Sequence, residues 1–213
     1  MDRIVLSQRI TGIMEDMKRI ENTFYALNMA DIQRYPENFK TLSVDAALRC
    51  EQVSCKARHL IYAAAMMPKQ KYLLMAADAQ GIEIQVQDDI VEINLPRLLY
   101  KRDKWKSTEF LLDPFIAAMS RYAEQNVIPR FYRCTVCFTH VYTDGTPMQL
   151  VRDPDSMELK RYLDVVSSFL LLGDNGLLCD VHSTAELGSG DYTRITVMER
   201  HRFPGWLNER LSF

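Results

Sequence analysis

Between residues 6 and 27 apolar side chains recur at Leu6, Ile10, Ile13, Met17, Ile20, Phe24 and Leu27, a spacing of four and three held for three heptads. A strand cannot present such a row on one face, because its side chains alternate with a period of two. On a helix the same residues form one stripe, and charged residues fill the remaining faces. The segment therefore folds as a helix that needs a helical partner. The partner is expected at about 42–67, LSVDAALRCEQVSCKARHLIYAAAMM, which is rich in good helix formers. Thr41 or Ser43 can cap it, and Pro68 ends it or opens the next turn. The polar loop MADIQRYPENFK joins the two into an antiparallel hairpin, with a shorter helix over 69–79 ending at Gly81.

After Gly81 the period changes. Ile82, Ile84 and Val86 alternate with polar residues, and Val91, Ile93 and Leu95 do so after Asp88–Asp89, which predicts a hairpin with one buried face. A basic run follows, with Arg97, Lys101, Arg102, Lys104 and Lys106. Asp113–Pro114 reads as the cap and first residue of a helix over about 114–125. IPRFYRCTVCFTHVY, 128–142, reads as a long strand, and Asp144–Gly145 as a turn. A helix over 156–171, strands at 177–183 and 192–198, and a short helix near Pro204 complete the pattern. The expected class is α+β: a helical hairpin over 1–80, then a mixed α/β domain over 81–213.

Charge and cysteine content narrow the function. Lys and Arg number 26 against 28 Asp and Glu, a net charge of −2 that lacks the basic surplus of a dedicated nucleic-acid binder. No run of 18 apolar residues occurs and the first residues carry charges, which predicts a cytoplasmic chain without a membrane span. Five cysteines without a framework read as reduced thiols. Cys134-Thr-Val-Cys137 with His140 is half a zinc pattern at best, because on a strand Cys137 points away from the other two, and no zinc is expected. Neither a G-x-S-x-G elbow nor a phosphate-binding glycine loop occurs.

The aspartates around the 156–171 helix carry two readings. Asp155-Ser-Met-Glu158 has the spacing of a capping box, Asp153 suits a helix N-terminus, and Asp174-Asn175-Gly176 makes a turn. Alternatively the three carboxylates meet around a metal ion. From about 90 to 200 the layout resembles the RusA-type Holliday-junction resolvases. The resemblance rests on Asp153-Pro-Asp155, on Leu163-Asp164-Val165-Val166, on Asp174-Asn175 and on the following GLLCDVHS. It implies a dimeric, Mg²⁺-dependent, structure-specific endonuclease acting on branched or duplex DNA. Asp153, Asp155 and Asp174 would hold the metal, with Lys160 stabilising developing negative charge. Arg97, Lys101, Arg102, Lys104, Lys106, Arg130 and Arg133 would track phosphates.

Several residues depart from that family. Ser156, Met157 and Asn175 replace an asparagine, a leucine and an aspartate, and Lys160 comes one position late. The hairpin at 1–80 has no counterpart there. The whole chain also resembles proteins of bacterial mobile elements. The departures leave a second expectation: a catalytically inactive RusA-like module that binds nucleic acid or protein.

Overall fold

The computed structural model describes residues 3–64, 67–100, 109–153 and 157–211. The chain is α+β and divides into two compact units, 1–71 and 72–213. The division falls inside a helix, ahead of the expected boundary at 80.

The first unit is the antiparallel hairpin. Helix α1 spans Arg3–Met29 and α2 spans Pro36–Ala63. Asp31 forms the loop between them: its Oδ1 accepts from the backbone N–H of Gln33 and Arg34, at 3.0 and 3.1 Å. Proline opens α2, where a missing N–H costs nothing. The helix thus starts earlier than residue 42, and Thr41 and Ser43 are not caps. Their hydroxyls donate instead to the carbonyls of Glu37 and Phe39, each at 2.8 Å. The heptad stripe is half correct. Ile13 is buried, and Leu6, Ile20 and Leu27 are half-buried, whereas Ile10, Met17 and Phe24 stay exposed. One partner helix covers a stripe narrower than the seam, so positions seven apart are buried and those rotated past them are not. Polar pairs flank the contact, with Lys56 on Asp16 and Thr23 Oγ1 3.4 Å from Asp45.

The second unit is a five-stranded sheet with helices. Helix α3, Lys69–Gln80, ends at Gly81, whose φ of +75° is the left-handed conformation that stops a helix. Strands β1, Glu83–Gln87, and β2, Ile90–Leu95, form the expected hairpin. Asp88 and Asp89 both take positive φ, +50° and +59°, as a two-residue loop matched to strand twist requires. Then come α4, Glu109–Gln125; β3, Cys134–Thr143; α5, Lys160–Leu170; β4, Cys179–Gly188; β5, Tyr192–Glu199; and α6, Phe203–Leu211. The sheet order is β1-β2-β5-β3-β4; β3 and β4 are parallel and the other pairs antiparallel.

Three starts differ from expectation. Helix α4 begins at Glu109, so Asp113 is not its cap and Pro114 lies inside it. Proline cannot donate to the Phe110 carbonyl four residues back, and the Gln80 side chain takes that place at 3.2 Å. Arg121 adds a bidentate contact to Asp78, at 3.0 and 2.6 Å, which ties α3 to α4. Strand β3 begins at Cys134 rather than 128, because Phe131 is engaged by Leu171 in a separate bridge. Helix α5 begins at Lys160 rather than 156: Met157 is extended and buried, and Glu158 N–H donates to the Tyr100 carbonyl.

The core lies on one sheet face, under α3, α4 and α5. Val91, Ile93, Val136, Phe138, Ile195 and Val197 meet Phe115, Met119, Tyr162, Val166 and Leu170 there. Tyr162, Val165, Val166 and Leu170 recur at helical spacing and bury one side of α5. Tyr162 stacks on Phe115, with 6.1 Å between centroids.

Candidate functional site

Helix α5 organises the residues singled out from the sequence. Asp153 is exposed and lies on the segment that leads to Met157; the neighbouring Arg152 anchors that segment through its N–H to the Tyr142 hydroxyl and its guanidinium to the Leu99 carbonyl. Asp155 lies outside the described residues, as do Lys101, Arg102, Lys104 and Lys106. The N-cap of α5 is Leu159, which bears no capping side chain, and Glu158 Oε1 accepts from Arg161 N–H at 3.4 Å. The Asp155 end of the expected capping box lies outside the described residues, and the helix begins at Lys160, past Glu158.

Lys160 is exposed and its ammonium pairs with Asp164 one turn on, at 2.9 Å. That hydrogen bond and the Asp164 charge raise its pKa, and Asp174 and Glu158 add to the effect. Asp174 is exposed beyond the end of α5 and also bears on Cys179. Asn175 makes the turn that leads into β4: its Oδ1 accepts from Leu177 N–H, and its carbonyl from Leu178 and Cys179. Among the described residues no group of three His, Cys, Asp or Glu side chains is arranged to hold a metal ion.

The basic residues have local partners. Arg97 donates to the Tyr100 hydroxyl at 3.0 Å and lies 5.4 Å from the Phe110 ring. Arg130 reaches the Ser168 and Leu171 carbonyls, each at 3.4 Å, where the last carbonyls of α5 favour a cation. Arg133 is exposed and lies 6.0 Å from the exposed Tyr132 ring.

The thiols and imidazole of β3 sort by face. Cys134 and His140 turn toward the helices, and Cys137 turns to the opposite face. Cys134 stands in register with Cys179 on β4, and their thiols are hydrogen-bonded. That bond, then burial, pushes the Cys134 thiol well above its ordinary range, and the same bond lowers Cys179. Burial pushes Cys137 up to about 12. Burial also depresses the His140 imidazole to about 4, with the Arg152 charge adding to it; its Nδ1 lies 3.3 Å from Thr193 Oγ1.

The opposite sheet face mixes buried apolar residues, Cys137, Val141 and Met198, with polar ones, which the strand pattern did not reveal. Thr135, Thr139 and Thr196 are buried there. A chain of ion pairs crosses it, from Glu92 to Arg194 at 3.5 Å, to Glu186 at 3.6 Å and to Arg210 on α6 at 2.8 Å. Arg210 also donates to Thr139 at 3.2 Å and lies 4.2 Å from the Trp206 ring. A cleft of about 300 Å³ lined by Gln85, Gln87, Glu92 and Trp206 opens beside it. The strands here alternate Thr, Arg and Glu with apolar residues, which reads equally as a face left to solvent.

No helix among the described residues is long and apolar enough to cross a membrane. Comparison with curated proteins finds no match. Residues 2–212 match a family described as a family of unknown function, DUF6100, and because the match covers nearly the whole chain the protein belongs to that family.

Proposed function

We propose that the chain is a protein-interaction module in which the helical hairpin is the contacting element and the sheet domain has a RusA-like layout without serving as a catalyst. The observation that carries this reading is the exposed apolar row on α1, formed by Ile10, Met14, Met17, Phe24 and Tyr25. A row of large apolar side chains on a water-facing helix, interrupted only by Glu21, is costly to leave uncovered and marks an association surface. Polar residues alone would serve a hairpin with no further contact.

The test is site-specific photo-crosslinking from position 24 in the full-length chain inside its host. The reading expects a defined protein adduct that disappears when Met17→Glu is introduced. A probe that reacts only with water, or an adduct unmoved by Met17→Glu, would overturn it.

A second reading, the metal-dependent endonuclease, is favoured by one specific observation, the order β2, α4, β3, α5, β4, β5, which follows the order the resolvase resemblance implies. In that reading Asp153, Asp155 and Asp174 bind Mg²⁺, and the basic residues over 97–106 follow DNA phosphates. Cleavage of a four-way junction that needs Mg²⁺ and is lost in Asp155→Asn would establish it. No cleavage with either metal or variant leaves the interaction module as the sole reading.

A further inference from the structure

Strand β4 is one edge of the sheet and β1 the other. β1 has five residues, whereas β4 has ten and pairs with β3 along its whole length without a bulge. In that parallel ladder the even-numbered residues of β4 turn their main-chain groups inward; the Leu178 and Gly188 carbonyls accept from Cys134 and Asp144 N–H. Val181, Ser183, Ala185 and Leu187 therefore turn theirs outward, and no hydrogen bond among the described residues reaches those groups.

An open edge of this length is normally guarded by lysine, proline, a bulge or a covering element. The segment CDVHSTAELG has no lysine, proline or bulge. Its two acids do not guard it either, because Asp180 is held by Arg200 at 2.5 Å and Glu186 by Arg210 at 2.8 Å. On the face shared with the helices, Val181 and Leu187 are 47 and 60 % exposed.

We infer that this edge pairs antiparallel with the same edge of a second copy, joining two five-stranded sheets into one. The inference goes beyond the hairpin reading and does not depend on it. Self-complementarity names the partner. Residues that meet across such a joint lie on one face of the sheet, so the two-fold axis passes through a residue. With the axis at Thr184, Val181 meets the partner's Leu187 and Ser183 meets the partner's Ala185. Four facing pairs then exchange two main-chain bonds each, eight in all, and every outward group is used. The two exposed aliphatic side chains cover each other. On the other face His182 stands opposite the partner's Glu186, an N–H donor against a carboxylate, in the closer, non-hydrogen-bonded kind of pair. Neighbouring registers fit less well. An axis at Ser183 sets Asp180 against the partner's Glu186, and one at Ala185 carries Val181 past the end of the partner strand. Main-chain hydrogen bonds rather than a broad apolar area hold such a joint, so the dimer belongs to the weak, reversible class.

The experiment is sedimentation equilibrium on the full chain from about 20 to about 500 µM, with circular dichroism as the folding control. The average mass should climb from 24.7 kDa toward twice that value across the range. Ala185→Pro removes one outward N–H and no bond to β3, and should weaken dimerisation by about tenfold or more. Val181→Lys, on an exposed side chain, should do the same without touching the backbone, so a folding defect in the proline variant does not end the test. Met17→Glu, on the hairpin, should change nothing. Under mild oxidation Thr184→Cys should give a disulfide between the two copies at position 184, mapped by mass spectrometry, because facing Cα atoms there lie about 4.5 Å apart. Val181→Cys should not link to its own position, which lies about 20 Å away in the partner. A parent chain still at 24.7 kDa at the highest concentration overturns the proposal, even if it binds an extended peptide. So does a dimer that resists both Ala185→Pro and Val181→Lys, or one that Met17→Glu dissolves.

Discussion

Cys134 on β3 and Cys179 on β4 stand directly opposite one another across the parallel strand pair, and the Cys134 thiol hydrogen-bonds to its partner. Neighbouring strands lie about 4.8 Å apart, within the range a disulfide spans. Diamide treatment should therefore join Cys134 to Cys179, and never to Cys137, which lies on the other face. Peptide mapping by mass spectrometry reads the link. Closing that loop should raise the melting temperature, with about 4 kcal/mol as an upper bound.

His140 makes stability depend on pH. Its folded pKa, about 4, is below the unfolded value of 6.5, so the folded chain favours the neutral imidazole. That contribution is complete above pH 6.5 and is lost as pH falls toward 4, to a total of about 3 kcal/mol. Urea unfolding at pH 7 and pH 5 should show the loss in the parent chain, and a smaller difference in His140→Gln. Equal slopes in the two proteins would contradict the assignment.

Gln80 and Pro114 act as a pair, since Gln80 donates to the Phe110 carbonyl to which the proline cannot donate. Gln80→Leu should cost about 0.5–1.5 kcal/mol through the loss of that hydrogen bond. Pro114→Ala supplies a backbone donor to the same carbonyl. The Gln80→Leu change should then cost less in the Pro114→Ala background, a coupling that a double-mutant cycle measures.

Gly188 closes β4 beside Val141. A Cβ added there would lie 2.8 Å from Val141 Cγ1, and Val141 is itself buried in strand β3. Gly188→Ala should therefore destabilise the chain by about 1–3 kcal/mol, the usual cost of overpacking. Val141→Ala in the same chain should recover part of that loss, which thermal unfolding of the three variants tests.

The sequence by itself determined what depends on neighbours a few positions away. The heptad repeat required a helix at α1 and a helical partner. Gly81 ended α3, Asp88–Asp89 turned β1 into β2, and period-two alternation placed the buried face of β2 at Val91, Ile93 and Leu95. Such signals reside in backbone dihedrals and side-chain period, and need no distant residue. Only the tertiary structure decided where α4 and α5 begin and which half of the α1 seam is covered. Met157 lies in the core ahead of α5 because Tyr100, more than fifty residues earlier, takes the Glu158 N–H; Phe110 can sit ahead of Pro114 in α4 because Gln80 satisfies its carbonyl. The same holds for the candidate site. Arg130 and Lys160 read as free cations in the sequence, yet one reaches the carbonyls that end α5 and the other pairs with Asp164. A helix boundary or a side chain's partner depends on which donor or acceptor the fold brings near, and that partner is set by packing over distances no local pattern encodes.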